Sequence, residues 1–330
     1  MKNLRLKYLQ PIVLILFASS VGFAQATGKS LIGEKNVRAE MGFLASDAMQ
    51  GRGSGTVWEN AAAEYIGSQF MQFGLEPAGE AGFDGKPTYV QTVTYTPRRG
   101  GDPRHTWNAM GKITGTDKTL SSEVILLTSH LDHLGVRETN PGDDKIFNGA
   151  DDDASGSVAV LEMARVLGSG KRPKRTVYFV CFGSEEAGGY GATYFVNNMP
   201  FPKDKLVANL EFEMIGRPDA RVKPEELWLT GYERSNLGPE LAKRGAKLVQ
   251  DPHPDQNFFQ RSDNIQLARA GIIAHTVSSF GLHKDYHQAS DEIKTIDFVH
   301  MTRSINSMVT PVKWLINSNF KPAWNPGGKP

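Results

Sequence analysis

Two kinds of hydrophobic pattern follow one another along the chain. Before position 80, apolar residues recur at helical spacing, which predicts helices over 36–44 and 57–73. From position 124 onward, short continuous apolar runs alternate with amphipathic stretches. The runs are typical of buried strands and the stretches of covering helices. The change in pattern therefore marks the part of the chain that forms a sheet.

The order of these segments predicts the fold class. Strands are expected over 124–128, 176–182, 206–215, 227–230 and 271–277, and helices over 155–167, 236–244, 263–270 and 297–317. The segment rich in Gly and Pro over 77–104 is predicted to be a loop with one or two edge strands. Strands that alternate with helices favour an α/β fold, with a mostly parallel sheet covered on both faces.

The first 26 residues have the parts of a secretory signal peptide. Three basic residues precede an apolar run over 11–17, and a stretch with small residues ends in Ala24-Gln25-Ala26. The apolar run is too short to span a bilayer. We therefore expect residues 27–330 to form a single exported domain with a short N-terminal helical extension, either periplasmic or secreted, with no membrane partner after cleavage.

Composition narrows the possible partners. The formal net charge is +1, and removal of the three basic residues of the signal segment lowers it to −2. This balance provides no basic surface, so we expect no nucleic-acid partner. The single cysteine, Cys181, lies in an apolar run and is expected to be a buried thiol. Without disulfides, an exported chain depends on its core and on any bound metal.

The stretch NGADDDASG, residues 148–156, sets three aspartates side by side. Adjacent carboxylates repel one another unless water or a cation neutralises them. Taken alone, such a run is usually a solvated turn. In this chain, however, metal-type side chains also follow several other predicted strands: His130, Asp132, Glu185, Glu186, Glu211, Glu213, His287 and Asp291.

We expect these side chains to lie close together, because ligands in α/β sheets bind at the carboxyl ends of the strands. Imidazole and carboxylate groups without thiolate suit zinc. The candidates exceed what one tetrahedral ion needs, and two ions about 3.5–4 Å apart with a bridging carboxylate would use them. In the pair Glu185-Glu186, one carboxylate can bind metal while its neighbour stays free as a general base.

As a set, these motifs resemble the co-catalytic zinc aminopeptidases, whose relatives include glutaminyl cyclases and plasma glutamate carboxypeptidase. The resemblance runs from about Phe43 to Asp297 and covers FLASDxMxGRGSG, SHLDHLG, NGADDDASG, SEEAGGYGA, EMIGR, RSDN and DYHQASDE. It implies the zinc exopeptidase fold, a three-layer α/β sandwich with a mixed, mostly parallel central sheet. It also implies two Zn²⁺ ions per chain and hydrolysis of the N-terminal peptide bond of peptides with a free N-terminus.

The resemblance also implies roles for individual residues. His130 would bind one zinc ion and Asp151 would bridge both. Glu186 and His287 would bind the other ion, and Glu185 would be the general base. Asp132 and Asp291 would orient the histidines, Tyr286 would hydrogen-bond the oxyanion, and Arg261 would meet the substrate.

One position departs from the family pattern, which has Asp where this chain has Glu213. We expect Glu213 to complete the second zinc site, with Glu211 as the alternative. If neither binds, the site would hold one zinc ion, as in a glutaminyl cyclase. A non-catalytic binding ectodomain is a further alternative, although every ligand position here holds a competent residue.

For other residues near the motifs, the sequence predicts a role less specifically. Phe258 and Phe259 are expected either to wall an apolar substrate pocket or to pack in the core. His133 and His283 are expected to pack beside the site, and Asp152 and Asp153 to cap a helix or bind loop amides. Arg52 is expected to fix its loop through an ion pair. The sequence does not predict the oligomeric state.

Overall fold

The hydrophobic pattern of the first segment forms two helices, α1 (Glu34–Leu44) and α2 (Val57–Gln72). Thr56 caps α2, since its hydroxyl accepts the backbone N–H groups of Trp58 and Glu59. This computed structural model describes residues 31–98 and 100–330, so the predicted signal peptide lies outside the described residues.

The remaining helices are α3 (Gly156–Gly168), α4 (Tyr190–Asn197), α5 (Leu237–Lys243), α6 (Asn264–Arg269) and α7 (Phe298–Asn317). The strands are β1 (Glu76–Pro77), β2 (Val90–Tyr95), β3 (Arg104–Ile113), β4 (Val124–His130), β5 (Gly135–Val136), β6 (Ile146–Phe147), β7 (Thr176–Phe182), β8 (Leu206–Phe212), β9 (Leu227–Leu229), β10 (Leu248–Gln250) and β11 (Ala274–Ser278). Within the described residues, no helix combines the length and apolarity that a bilayer crossing requires.

Nine of the strands form one mixed sheet in the order β1-β3-β7-β4-β8-β11-β9-β10, with β2 also paired to β3. Its centre, β7-β4-β8-β11, is parallel, whereas β3 pairs antiparallel to β7 and β9 pairs antiparallel to β11. The parallel centre brings the carboxyl ends of four strands to one edge, where the predicted ligands follow them.

Helices cover both faces of this sheet. Ile125 and Leu127 of β4 pack into a large core with α1, α2, α3, α5 and α7, whereas Leu126 packs into a second core with α4 and α6. This division follows from the alternation of side chains along a strand. The predicted three-layer α/β architecture with a mixed sheet is therefore confirmed.

The structure differs from the sequence-based elements at several positions, of which β3 and the end of β8 are two. The ten-residue strand β3 begins at the end of the predicted loop and continues to Ile113. The sequence does not predict it, because polar residues such as Asn108 interrupt its apolar pattern. The strand predicted over 206–215 ends at Phe212, and Met214 has a φ of 49°. Glu213 therefore lies beyond the strand, and strand geometry does not hold its side chain on the same face as that of Glu211.

Candidate metal centre and substrate pocket

Asp152 lies at the centre of the candidate metal site. Its Oδ1 is 3.2 Å from Nε2 of His130, and its Oδ2 is 3.2 Å from Nε2 of His287. His130 is the last residue of β4, and His287 follows β11 in a left-handed conformation with a φ of 56°. One carboxylate thus faces two histidines, one through each oxygen.

Two further carboxylates complete the groups around Asp152. Glu186 places Oε1 3.1 Å from Nε2 of His287. One carboxylate oxygen of Glu213, one ring nitrogen of His130 and one carboxylate oxygen of Asp152 lie within 4.8 Å of one another. Each side of Asp152 therefore has a histidine and a glutamate.

Glu211 does not belong to this group. Its carboxylate accepts a hydrogen bond from the backbone N–H of Asn264 and another from the Thr276 hydroxyl, which anchors α6 to the sheet. Of the two glutamates that the sequence left open, the structure brings Glu213 to the histidines.

The chemistry of the site fits a cation. Nε2 of His130, Oδ2 of Asp152 and Oε1 of Glu186 are buried and have no hydrogen-bond partner among the described residues. Buried polar atoms without partners are costly, and cations bound on the two sides of Asp152 would satisfy all three. Burial also raises the pKa of Glu213 to about 8, since a carboxylate charge is unfavourable away from water. Imidazole nitrogens and carboxylate oxygens are suitable zinc ligands.

Asp151 was expected to bridge the ions, but in the structure its carboxylate contacts other groups. Its Oδ1 accepts the backbone N–H of Gly216 at 2.8 Å, and its Oδ2 lies 2.9 Å from Nε2 of His283. These contacts turn the carboxylate away from His130 and His287. The middle aspartate, Asp152, rather than the first, is the one whose carboxylate faces both histidines.

The carboxylates of Asp291 and Asp153 hold the aspartate loop in place. The carboxylate of Asp291 accepts the backbone N–H groups of Asp151 and Asp152, each at 3.1 Å. The carboxylate of Asp153 accepts the backbone N–H of His130 at 3.2 Å. Asp291, expected to orient a histidine, thus fixes the backbone of Asp151 and Asp152, and Asp153 ties the loop to the end of β4.

The carboxylate of Asp132 lies 3.7 Å from Nδ1 of His130, beside that histidine as expected, and it also supports the neighbouring turn. This carboxylate accepts the backbone N–H groups of Glu185 and Glu186, at 3.0 and 3.3 Å, and a hydrogen bond from the Ser54 hydroxyl. The backbone carbonyl of Asp132, 3.1 Å from Nδ1 of His130, orients that ring. With Nδ1–H donating to this carbonyl, Nε2 of His130 is left free for a metal.

The buried carboxylate of Glu59 stabilises the turn that carries Glu185. Ser184 has a φ of 56°, and its backbone N–H donates to Oε1 of the buried Glu59 at 2.8 Å. Burial holds the pKa of Glu185 well above its usual range, and the neighbouring carboxylate of Asp263 acts in the same direction. Among the described residues, the Glu185 carboxylate forms no hydrogen bond, so it remains available for a proton.

Arg52 stabilises the site differently from the ion pair expected. The side chain is buried and donates to four backbone carbonyls, those of Leu131, Leu44, Asn148 and Gly149. It therefore joins the segment after β4 to the aspartate loop, and its positive charge lies near the acidic residues of both.

Tyr286 and Arg261 lie at the mouth of the site. The Tyr286 ring stacks on His287 with 3.9 Å between centroids, and its hydroxyl accepts from Arg261 at 3.3 Å. Burial raises the pKa of the Tyr286 hydroxyl above its usual range, so it stays protonated at neutral pH and can donate.

A small pocket opens beside Glu213 and Tyr286. Phe258 lines this pocket together with Trp228, on which it stacks at 5.2 Å between centroids. Phe259 does not line the pocket, because it packs instead into the core near His275 and Trp324. Of the two expected wall residues, only Phe258 therefore reaches the pocket.

Comparisons with known proteins agree with this geometry. The profile of Peptidase family M28 matches residues 108–310. Leupeptin-inactivating enzyme 1 of Streptomyces exfoliatus is 30% identical over 329 residues, which cover 92% of this chain and 68% of that protein. The chain belongs to peptidase family M28. The resemblance to zinc aminopeptidases that the motifs indicated is therefore confirmed at the level of the family, and with it the class of metallopeptidase hydrolases.

Solved structures show that this M28 chain shares its fold with proteins of more than one activity. A zinc aminopeptidase from Bacillus subtilis has a TM-score of 0.65 at 17% identity, covering 87% of this chain and 96% of the other. A glutaminyl cyclase from Porphyromonas gingivalis has a TM-score of 0.64 at 17% identity, covering 87% of this chain and 100% of the other.

Some curated relatives are much longer, and this chain spans 31% of the length of two of them.

Proposed function

We propose that this M28 chain is an exported zinc aminopeptidase that holds two zinc ions and hydrolyses the N-terminal peptide bond of peptides. The observation that carries the proposal is the carboxylate of Asp152, whose oxygens each lie 3.2 Å from a different histidine. A carboxylate in this position suits a bridge between two ions.

The surrounding residues divide between the two ions. His130 and Glu213 would hold one ion and Glu186 and His287 the other, with Asp152 shared. Zinc bound here would supply Lewis acidity, which lowers the pKa of water and stabilises negative charge on a peptide carbonyl oxygen.

Glu185 is the residue proposed to accept a proton from the attacking water. Its neighbour Glu186 faces His287, whereas the Glu185 carboxylate forms no hydrogen bond among the described residues. A raised pKa suits a group that takes a proton and later donates it to the leaving amine. The Tyr286 hydroxyl is placed to donate to the carbonyl oxygen as charge develops there.

Restriction to the chain end would follow from charge. The site is lined by carboxylates, which attract the α-ammonium group of a free N-terminus and have no such interaction with an acetylated one. Phe258 and Trp228 would receive the side chain of the first residue in the pocket beside Glu213.

A specific observation makes the glutaminyl cyclase alternative less favourable. A one-zinc site was expected only if neither glutamate binds, and Glu213 lies in one group with His130 and Asp152. The binding-only ectodomain is disfavoured because Glu185 and the groups around Asp152 are all retained.

A panel of aminoacyl chromogenic substrates, assayed with and without a chelator, tests the proposal. We expect hydrolysis that the chelator abolishes and zinc restores, together with no hydrolysis of the matching N-acetylated substrates. Cyclisation of peptides with N-terminal glutamine, without hydrolysis of the panel, would favour the cyclase instead. Export is tested separately by fractionating the producing cells and sequencing the N-terminus of the mature protein, which is expected at Thr27.

A further inference from the structure

His133 is a buried histidine beside the candidate metal centre that has no role in the scheme above. Its Nδ1 lies 2.9 Å from Oε1 of Glu186 and 3.8 Å from Oδ2 of Asp152. The side chain is 1% exposed. It therefore reaches the same carboxylate oxygens as His287 does, from inside the protein.

These short contacts are not hydrogen bonds. Nδ1 of His133, Oε1 of Glu186 and Oδ2 of Asp152 each have no hydrogen-bond partner among the described residues. An imidazole nitrogen directs its proton or lone pair within the ring plane. Close approach without a hydrogen bond therefore means that the proton or lone pair of Nδ1 is not aligned with either oxygen.

The same arrangement occurs at His130, a residue already assigned to metal binding. Its Nε2 lies 3.2 Å from Oδ1 of Asp152 and likewise has no hydrogen-bond partner among the described residues. In a metal site, ligand atoms approach one another closely because each is directed at the shared ion. His133 thus has the geometry of a ligand and not that of a hydrogen-bonded neighbour.

The backbone around His133 holds the ring in this position. Gly149 has a φ of 56°, and a Cβ atom at that position would lie only 2.4 Å from Cγ of His133. The backbone N–H of His133 donates to the carbonyl of Arg52 at 3.2 Å. Only glycine at position 149 leaves room for the ring against the start of the aspartate loop.

We propose that Nδ1 of His133 is an additional ligand of the ion assigned to Glu186 and His287. This inference rests on the proposed two-zinc site. The ion on this side would have four protein ligands, with Asp152 and His133 included, whereas the ion at His130 and Glu213 would have three. Zinc sites with four protein ligands are usually closed, and sites with three keep a position for water or substrate. The open position would then lie on the His130 side.

Crystals of the zinc-loaded protein, with diffraction data collected at the zinc absorption edge, test this inference. We expect Nδ1 of His133 at about 2.0–2.1 Å from the ion bound by Glu186 and His287. An ion at that position with Nδ1 beyond about 2.8 Å, donating to Glu186, would overturn the inference and leave the proposed function intact. Crystals with no ion near Asp152 would overturn both.

Cobalt(II) absorption spectra provide a solution measurement that does not depend on activity. In the cobalt-loaded protein, His133→Ala is expected to shift the visible bands and to weaken binding of one of two ions by at least about tenfold. The exposed His105 supplies the matched control, His105→Ala, which should leave spectrum and affinity unchanged. A folded His133→Ala protein with the parental spectrum would contradict ligation. If the variant does not fold, the crystallographic distance still decides.

Discussion

Asp151 and Asp152 are adjacent in the chain, yet their carboxylates lie in different environments. Asp151 accepts the backbone N–H of Gly216 at 2.8 Å, while Asp152 places one oxygen 3.2 Å from His130 and the other 3.2 Å from His287. The first aspartate therefore anchors the loop, and the second faces the histidines. This difference separates a structural carboxylate from a candidate bridging ligand.

Substitution of the two aspartates should have distinct effects. Asp152→Asn is expected to weaken zinc binding by at least about tenfold, because a neutral amide replaces the bridging charge. Asp151→Asn should keep its zinc, since the asparagine side-chain oxygen can still accept from Gly216. Zinc per chain after dialysis, measured by atomic emission, checks both variants. Loss of zinc from Asp151→Asn alone would return the bridging role to the first aspartate.

Glu185→Gln should separate metal binding from turnover. The amide cannot accept a proton from water, so hydrolysis is expected to fall by about 10²–10⁴-fold while zinc content stays at the parental level. Glu186→Gln is the matched comparison, in which zinc affinity should fall as well. Steady-state hydrolysis and zinc analysis of the same preparations provide the test. Activity within a few-fold of the parent would exclude Glu185 as the base.

The adjacent phenylalanines provide a test of the substrate pocket. Phe258→Ala enlarges the pocket and is expected to raise kcat/KM for bulky relative to small N-terminal residues. Phe259→Ala should leave that ratio unchanged and lower the free energy of unfolding by about 3–5 kcal/mol, because a core side chain is lost. The ratio of kcat/KM for aromatic and alanyl substrates, with urea unfolding, checks both. A ratio unaffected by Phe258→Ala would place the side-chain pocket elsewhere.

Arg52 should be important for stability although its side chain is hidden from solvent. A lysine at this position cannot donate to four carbonyls, so Arg52→Lys leaves buried acceptors unpaired, at a cost of about 1–3 kcal/mol for each. We expect a lower midpoint of thermal unfolding and weaker zinc binding. The exposed Arg38 supplies the control, Arg38→Lys, which should change neither. Equal midpoints for the two variants would contradict the role of Arg52.

A buried acid far from the metal centre predicts the pH dependence of stability. Burial raises the pKa of Glu40 to about 9, so the folded state keeps a proton that the unfolded state loses above its usual pKa of 4.5. The folded state therefore loses stability as the pH rises from about 4.5 to about 9. Glu40→Gln should stabilise the protein by a few kcal/mol at pH 8 and little at pH 4.

Urea unfolding at both pH values, at constant zinc, measures this difference. The exposed Glu64 provides the control, since Glu64→Gln should not alter the pH dependence. A Glu40→Gln variant with the parental slope of stability against pH would show that the carboxyl titrates normally in the folded protein.

The sequence predicted those elements whose burial is uniform. Strands β4 and β7 are buried at every position, so their continuous apolar runs marked them clearly. The candidate ligands His130, Glu186 and His287 could be predicted because they lie at or beyond the ends of such strands. Strand β3, with exposed and polar positions, has no comparable signal.

Local sequence could not decide between chemically equal neighbours. The aspartate loop is irregular, so no periodicity indicates which of the three carboxylates faces the histidines. Contacts from distant segments settle it: Gly216 turns Asp151 away, and Asp291 fixes the backbone of Asp152. Likewise, His133 reaches the site because Gly149 leaves room for its ring, a relationship that no spacing rule contains.

Stepwise addition of zinc to metal-free protein, with hydrolysis of an aminoacyl substrate measured at each step, shows whether activity depends on two ions. We expect no hydrolysis without metal, and a rise that reaches its plateau when two zinc ions are bound per chain. Full hydrolysis by protein that retains less than about a tenth of a zinc ion per chain would contradict a metal-dependent peptidase built around Asp152.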